Sequence, residues 1–574
     1  VAVFGTGAST TSYEELEHTD VIICWGSNTQ ECHPIIYNHM RRGVKNGAKM
    51  VVIDPRKIDQ AKRADKWLPV RVGTDIALAN AMAHVIIEED LYNKEFVERA
   101  TENFEELREK VADYTPERAE EITGVPAEDI REVARMYATA DKATINWTLG
   151  ITEHHNGLDG VFALINLGLL TGHVGKYGSG LNPLRGQNNV QGGGDMGALP
   201  NRLVGGWTWD DPEAQENFER VWGNPIPTKV GKNQAQIHEA MESGEIRSMY
   251  VIGENPCQSD ADENHSAKLF GDLDFLVVQD IFLTKTGRLA DVVLPAAASW
   301  AESDGTFVNG ERRVQRVRKA VEAPGEARPD DEILTDVANR MGAGWSYESP
   351  EDVWNEVREL APNFSGISYE RLDEYGGIQW PCLDGSLEEI SDNTPKEQLT
   401  AGTVGTHDKG GTAVTTDVKK KPQVGTKFMH AQLWADEVEK RAPFHPVDHE
   451  GPVEMPDEEY PFLLTTGRRL AFYNTGTMTQ DYKKVKDAEE LLEITEEDAG
   501  KLGVEDGEMV MVGSRRGAIN VKARITDKVS PGLVFLGYHF PEEAPVNQLT
   551  INAVDPRSGT AEFKACAVKV ETLA

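Results

Sequence analysis

Cysteine is scarce in this chain, with five in 574 residues, at Cys24, Cys32, Cys257, Cys382 and Cys566. They are widely separated and none belongs to a Cys-x-x-Cys pair, so neither a disulfide scaffold nor a zinc or iron–sulfur ligand set is indicated. Positive charge is also short: 59 basic residues face 95 acidic ones, for a formal charge of -36. That excess of carboxylate repels nucleic acid and acidic membrane surfaces. It would suit a salt-rich cytoplasm too, although the many lysines count against that. No uncharged apolar run approaches the roughly 20 residues a membrane helix needs, so no membrane insertion is expected. The chain opens at Val1 without an initiator Met and without the charged and apolar regions of a signal peptide; a cytoplasmic protein is the expectation.

What is present is core material. Hydrophobic residues make up 39% of the chain, with eleven Trp, and at roughly 150 residues per domain about four domains are expected. Val21-Ile22-Ile23-Cys24-Trp25 is an apolar run stopped by Gly26-Ser27-Asn28, and Met50-Val51-Val52-Ile53 stops at Asp54-Pro55-Arg56. Both read as buried parallel strands, with a helix over residues 33–47 between them. The plan recurs at Met249-Tyr250-Val251-Ile252, stopped by Gly253-Glu254-Asn255-Pro256, and at Phe275-Leu276-Val277-Val278, stopped by Gln279-Asp280. In open parallel sheets ligands sit beyond the carboxyl ends of strands, so two such halves point to two dinucleotides, or to one with two halves.

Helical patterns fill residues 80–114 and 126–140, and residues 291–295 resemble another short strand. Residues 384–427, rich in Thr, Gly, Lys and Asp, read as an exposed linker or surface insert. Beyond it, short apolar runs at 461–466, 509–513, 518–525, 532–538 and 565–570 are separated by turn residues, the pattern of a β-barrel. The fold class expected is therefore α/β and multidomain, with two related doubly wound parallel-sheet domains and a C-terminal β-barrel. The expected domains are 1–187 and 188–383, each binding a dinucleotide, the insert 384–427, and the barrel 428–574.

The most informative stretch is residues 178–201, GSGLNPLRGQNNVQGGGDMGALPN, where glycines and paired amides surround one cation, Arg185. Gly192, Gly193 and Gly194 let backbone approach a ligand, Gln187, Asn188 and Asn189 offer directional donors and acceptors, and Arg185 offers a planar fork suited to a carboxylate. A lone Arg more often neutralises carbonyls, and Asp54 and Asp280 at strand ends are as well suited to forming turns. His154-His155 is set aside as a metal pair because adjacent side chains point different ways. His33 reads as a helix-start residue and Cys24 as a small hydrophobe. Lys419-Lys420-Lys421 reads as a solvated run.

Leu184-Arg185-Gly186-Gln187-Asn188-Asn189-Val190-Gln191-Gly192, with Asp195-Met196-Gly197-Ala198-Leu199-Pro200, closely resembles the signature of molybdopterin-dependent formate dehydrogenase catalytic subunits. Asp54-Pro55-Arg56, Gly253-Glu254-Asn255-Pro256, residues 279–286 and Thr475-Gly476-Thr477-Met478-Thr479 support the match. The resemblance implies a molybdopterin oxidoreductase fold and a bis-molybdopterin guanine dinucleotide cofactor carrying Mo or W. It implies contacts to one dinucleotide from Asn28, Asp54, Arg56, Gly73 and Asp75, and to the other from Asn255, Ser259, Gln279 and Asp280. Further pterin or phosphate contacts are implied for Gly150, Gln187, Arg468, Tyr538, Asn547 and Lys564. Arg185 would orient formate for reversible two-electron oxidation to carbon dioxide, with an iron–sulfur or flavin/NAD-linked subunit taking the electrons.

Members of that family carry a Cys or selenocysteine followed by His, and an iron–sulfur cluster domain, upstream of a segment like Phe4-Gly5-Thr6-Gly7-Ala8. This sequence starts after both, so no residue is assigned as a metal ligand and the chain alone is not expected to turn over formate. Glu153, Phe472 and Cys32 also depart from the pattern. Two other functions share parts of it: another enzyme of the superfamily, such as a nitrate reductase, and a non-catalytic scaffold like the large peripheral subunit of respiratory complex I. The Arg185 segment argues against the first, and its retention together with the dinucleotide contacts argues against the second.

Overall fold

A computed structural model describes residues 1–383, 424–479 and 488–573. Most of the expected insert, residues 384–423 with Lys419, Lys420 and Lys421, lies outside the described residues. The described chain groups into two compact units, each assembled from three separated stretches. The first comprises Val1–Leu16, His173–Lys232 and Ala296–Arg441, and the second Glu17–Gly172, Asn233–Pro295 and Ala442–Ala574.

The second unit contains a parallel sheet built on β1 (Val21–Trp25), flanked by β2 (Lys49–Ile53) and, on its other side, β4 (Ala143–Trp147), with β3 (Lys66–Leu68) beyond β2. Every residue of β1 and β4 is buried, as expected of strands covered on both faces. The helix Pro34–Lys45 connects β1 to β2, with Pro34 in its first turn where a missing N–H costs nothing. The helical region expected over residues 80–114 is three helices, Asp75–Glu88, Lys94–Ala100 and Phe104–Val111. The breaks have local causes: Asp90 and Asn103 take positive φ, and the Asn93 side chain caps the second helix by accepting from Phe96 N.

A second parallel sheet in the same unit has the order β5 (Ser248–Ile252), β6 (Phe275–Asp280), β7 (Val292–Pro295). A closed six-stranded barrel completes the unit, from β8 (Phe462–Gly467), β9 (Leu491–Ile494), β10 (Met509–Gly513), β11 (Ala518–Ile525), β12 (Leu533–Gly537) and β13 (Cys566–Thr572), in the order β8-β12-β9-β11-β10-β13. In β11 burial alternates, with Ile519, Val521 and Ala523 inside, the period of a strand with one face on a core. β9 was not among the expected strands: Leu491-Leu492-Glu493-Ile494 carries a charge that is in fact buried, which hides it from a search for apolar alternation.

The first unit holds an antiparallel pair, Gly305–Val308 with Arg313–Val317, extended by Ile378–Gln379 and, in parallel, by Val424–Gly425. The last of these corrects the insert reading for its end, which is a short strand. Val314, Trp354, Phe364, Ile378 and Trp380 form its core. At the centre of the unit Arg312 is fully buried, donating to the carbonyls of Ser9, Trp380, Thr426 and Lys427 at 2.5–2.9 Å.

Candidate functional site

The carboxyl ends of β1 to β4 and one mouth of the barrel line a cleft that is open to solvent. Gly26 and Asn28 come from the loop after β1, Asp54 and Arg56 from that after β2, Gly73 from that after β3 and Asp75 from the first turn of the helix it leads into, and Gly150 from the short helix Leu149–Thr152 after β4; Arg468, Tyr538 and Lys564 come from the barrel. The loops approach closely. Gly150 N donates to Gly26 O at 3.2 Å, and a Cβ on Gly150 would lie 2.5 Å from that oxygen, so only glycine fits there.

Each charged group has a defined partner. Trp25 Nε1 donates to Asp75 at 2.8 Å, and the Asp54 carboxylate accepts from Arg56 N at 2.9 Å. Burial pushes Asp54 up to about 6, against the pull of Arg56, and burial raises Asp75 as well. Arg56 lies 3.3 Å over the ring of Phe535 and donates to Glu493 at 2.7 Å. Lys564 pairs with Glu153 at 2.7 Å and donates to Thr466 O at 3.2 Å. Arg468 donates to Asn474 at 3.2 Å. Burial raises the Tyr538 hydroxyl, keeping it protonated.

A second strand-end cluster lies at β5 and β6. Asn255 accepts from Thr286 N and Oγ1 at 3.1 and 2.9 Å, and Ser259 donates to Asn255 O at 3.2 Å. Gln279 is fully buried and takes a hydrogen bond from Tyr250. Asp280 accepts from Phe282 N at 3.0 Å, the turn geometry considered for it. Asn547 of the barrel donates to the carbonyls of Gln258 and Ser259 at 3.0 and 3.2 Å.

Arg185 and Gln187 belong to the first unit, in the loop between the strand Gly180–Pro183 and the short helix Val190–Asp195. Arg185 Nε donates to Gln191 Oε1 at 3.2 Å, and Nη2 donates to Gly7 O at 2.9 Å. Gln187 is half-buried in the turn leading to the helix, where its carbonyl accepts from Val190 N at 3.4 Å. Gly192 has a different use from the ligand approach expected of it: a Cβ there would lie 2.1 Å from Asn189 Oδ1, which accepts from Val308 N at 3.0 Å. Its lack of a side chain serves packing within the chain.

The family model described as molybdopterin oxidoreductase matches residues 3–340, and that of the molydopterin dinucleotide binding domain matches residues 462–567. The chain belongs to the molybdopterin oxidoreductases. Its relatives include the F420-dependent formate dehydrogenase 2 subunit alpha of Methanococcus maripaludis, 43% identical over 99% of this chain and 79% of that protein. The F420-dependent formate dehydrogenase subunit alpha of Methanocaldococcus jannaschii is 44% identical over 100% of this chain and 79% of its own length. Formate dehydrogenase H of Escherichia coli is 39% identical over 99% and 75%. Among solved structures, acetylene hydratase from Pelobacter acetylenicus superposes with a TM-score of 0.72 at 21% identity, covering 98% of this chain and 79% of that one; the likeness is one of fold.

The cleft of this molybdopterin oxidoreductase has the chemistry to take a polar dinucleotide. Asn28 Oδ1 and Arg56 Nε are buried there without a hydrogen-bond partner. Leaving such atoms unsatisfied is costly, and a ligand with donors and anionic oxygens supplies what they lack. Three cations, two raised carboxylates and bare glycine backbone complete the lining. Several lining residues were not anticipated: Cys32, Thr148, His154, Thr465, Gly467 and Phe535. Thr465 and Gly467 could have been found by extending the strand-end rule to the barrel. His154 could not, because its place depends on Glu562, 3.5 Å from its Nδ1. Cys32, a departure from the family pattern, has its thiol pushed up to about 11 by burial. Phe472 packs on His539 and Phe540. Among the described residues no group of three His, Cys, Asp or Glu side chains is arranged to hold a metal, and no helix is long and apolar enough to cross a membrane.

Proposed function

We propose that this chain is the catalytic subunit of a formate dehydrogenase, oxidising formate reversibly to carbon dioxide with release of one proton and two electrons. The observation that carries the reading is identity of 39–44% over essentially the whole chain to proteins named formate dehydrogenases, joined to the Arg185 segment. The cofactor is a bis-molybdopterin guanine dinucleotide with Mo or W, which when bound supplies the two-electron redox chemistry. An iron–sulfur cluster, expected outside this chain, and an electron-transfer subunit carry the electrons away.

The residues divide the work. Asn28, Asp54, Arg56, Gly73, Asp75 and Gly150 hold one dinucleotide, the cations meeting phosphate and the carboxylates accepting from N–H and O–H groups. Arg468, Tyr538 and Lys564 close the same cleft from the barrel. Asn255, Ser259, Gln279, Asp280 and Asn547 hold the other dinucleotide, and Gln187 adds a polar contact near the pterin. Arg185 is tied at Nε and at one Nη2 hydrogen, which leaves the Nη1 end of its fork for a carboxylate. A bidentate grip would set both the charge and the angle of formate.

The test is metal and guanine-nucleotide analysis of the natively purified full-length gene product, with formate oxidation followed by an artificial dye. One metal, two guanine nucleotides and formate oxidation that Arg185→Ala abolishes are expected. Metal and nucleotide with no formate oxidation would assign the chain to another activity of the family, and a folded protein holding neither would make it a scaffold.

A further inference from the structure

We propose, resting on the formate reading above, that Gln191 and Asp195 are positioning residues for Arg185: the Asp195 carboxylate sets the direction of the Gln191 amide, and the amide sets the plane of the guanidinium on which formate docks. Gln191 and Asp195 stand four apart on the helix Val190–Asp195 and so share one face. Gln191 Nε2 donates to Asp195 Oδ1 at 2.8 Å, and Gln191 Oε1 accepts from Arg185 Nε at 3.2 Å. With Nη2 anchored on Gly7 O at 2.9 Å, the guanidinium is fixed along one edge.

The device depends on the polarity of an amide. A Gln side chain has a donor end and an acceptor end, whereas arginine only donates. While residue 195 accepts, Nε2 faces it and Oε1 is left facing Arg185. A residue 195 that donates lets the amide turn over, which sets NH2 against the arginine N–H and frees the guanidinium to swing. Burial pushes Asp195 up to about 6, against Gln191, Trp380, Arg185 and Arg312; Arg185 and Arg312 are the charged groups facing it. A proton on Oδ2, the oxygen without a hydrogen-bond partner, leaves Oδ1 a neutral and weaker acceptor, so the hold on Gln191 is strongest above about that pH.

Asp195→Asn and Gln191→Leu in the intact holoenzyme test this, with Asp195→Glu as the conservative control. Formate Kd is read by calorimetric titration of the reduced enzyme, which cannot take two further electrons from it, and kcat and KM are read across pH. Loss of one charge-assisted hydrogen bond predicts a rise in Kd and KM of roughly tenfold in the first two variants, with kcat falling less than KM rises. The wild-type rise in KM below about pH 6 disappears in Asp195→Asn, and Asp195→Glu recovers most of the affinity. Arg185 also reacts faster with phenylglyoxal, read by peptide mass, in both weakened variants.

Unchanged Kd, KM and phenylglyoxal rate overturn the proposal. So does equal loss in Asp195→Glu, which would mark simple packing, or failure of both weakened variants to load metal and nucleotide, which would mark a folding role. If only Asp195→Asn fails to load, Gln191→Leu decides by the same measures. A loaded wild-type enzyme that neither binds nor oxidises formate removes the formate reading instead; the phenylglyoxal rates then still decide whether the two residues hold Arg185.

Discussion

Glu493 holds two guanidinium groups at once. Its Oε2 accepts from Arg56 Nη2 at 2.7 Å and its Oε1 from Arg469 Nη1 at 2.9 Å. The carboxylate is 4% exposed, Arg56 10% and Arg469 24%, and both cations lie over Phe535, at 3.3 and 5.2 Å. Burial works against the charge on Glu493, yet Arg56 and Arg469 together outweigh it and hold the carboxyl below its ordinary 4.5. Glu493→Gln keeps the shape, removes the charge and turns an NH2 group toward one guanidinium. Breaking a buried pair from one side costs roughly 3–5 kcal/mol. Arg469 keeps Glu490 at 2.9 Å, so the lower end, about 3 kcal/mol, is expected.

With two compact units in the chain, one global unfolding energy is not well defined, and the assay is native-state hydrogen exchange at Val534 and Leu536, both fully buried in β12. About 3 kcal/mol corresponds to exchange on the order of a hundredfold faster. Bound guanine nucleotide should fall in parallel, because Arg56 lines the cleft. A depressed carboxyl contributes stability above its unfolded pKa and loses it as pH falls through the folded one, so wild type and variant should converge only as the pH falls past that depressed value. A change under about 0.5 kcal/mol with wild-type nucleotide content would refute the reasoning, because it would mean that water screens this cluster as it does a surface pair.

Gly150→Ala should separate the β1 and β4 loops, because a Cβ 2.5 Å from Gly26 O must move by roughly 0.9 Å to reach the ordinary 3.4 Å contact. Overpacking of this kind costs about 1–3 kcal/mol; faster hydrogen exchange in β1 and β4 and reduced nucleotide content should both appear, and unchanged exchange with full loading would count against the close approach. Asp54, pushed up to about 6 by burial, should make GDP binding by the cofactor-free protein tighten as pH rises through that value, since donors on the base favour the carboxylate. Binding that is flat between about pH 5 and 7, or a pH dependence that persists in Asp54→Asn, would show that this carboxyl does not meet the nucleotide.

The elements most legible in the sequence were those whose signal is local. The all-apolar run of β1, ended by Gly26, read as a buried strand and is one, and the turn-punctuated runs after residue 460 read as the short strands that close into the barrel. Parallel sheets offer ligands the carboxyl ends of their strands, which singled out the loops at 26–28 and 54–56; the individual contacts Asn28, Asp54 and Arg56 were implied by the family resemblance. The sequence also showed that Arg185 stands in a setting of amides and glycines unlike ordinary structure.

The structure alone decided what depends on residues distant in the chain. Glu493, whose charge hid β9 from a search for apolar runs, is the counter-ion of Arg56, 437 positions away. Lys564 meets Glu153, and Asn547 meets Gln258 and Ser259. The grouping of Val1–Leu16 with Ala296–Arg441 rests on contacts of the same kind, such as Arg312 Nε with Ser9 O at 2.9 Å. Periodicity and turn chemistry act over a few residues, so a sequence displays them directly; a buried charge is stabilised by whichever partner the folded chain brings to it, and neighbouring residues carry no trace of that choice.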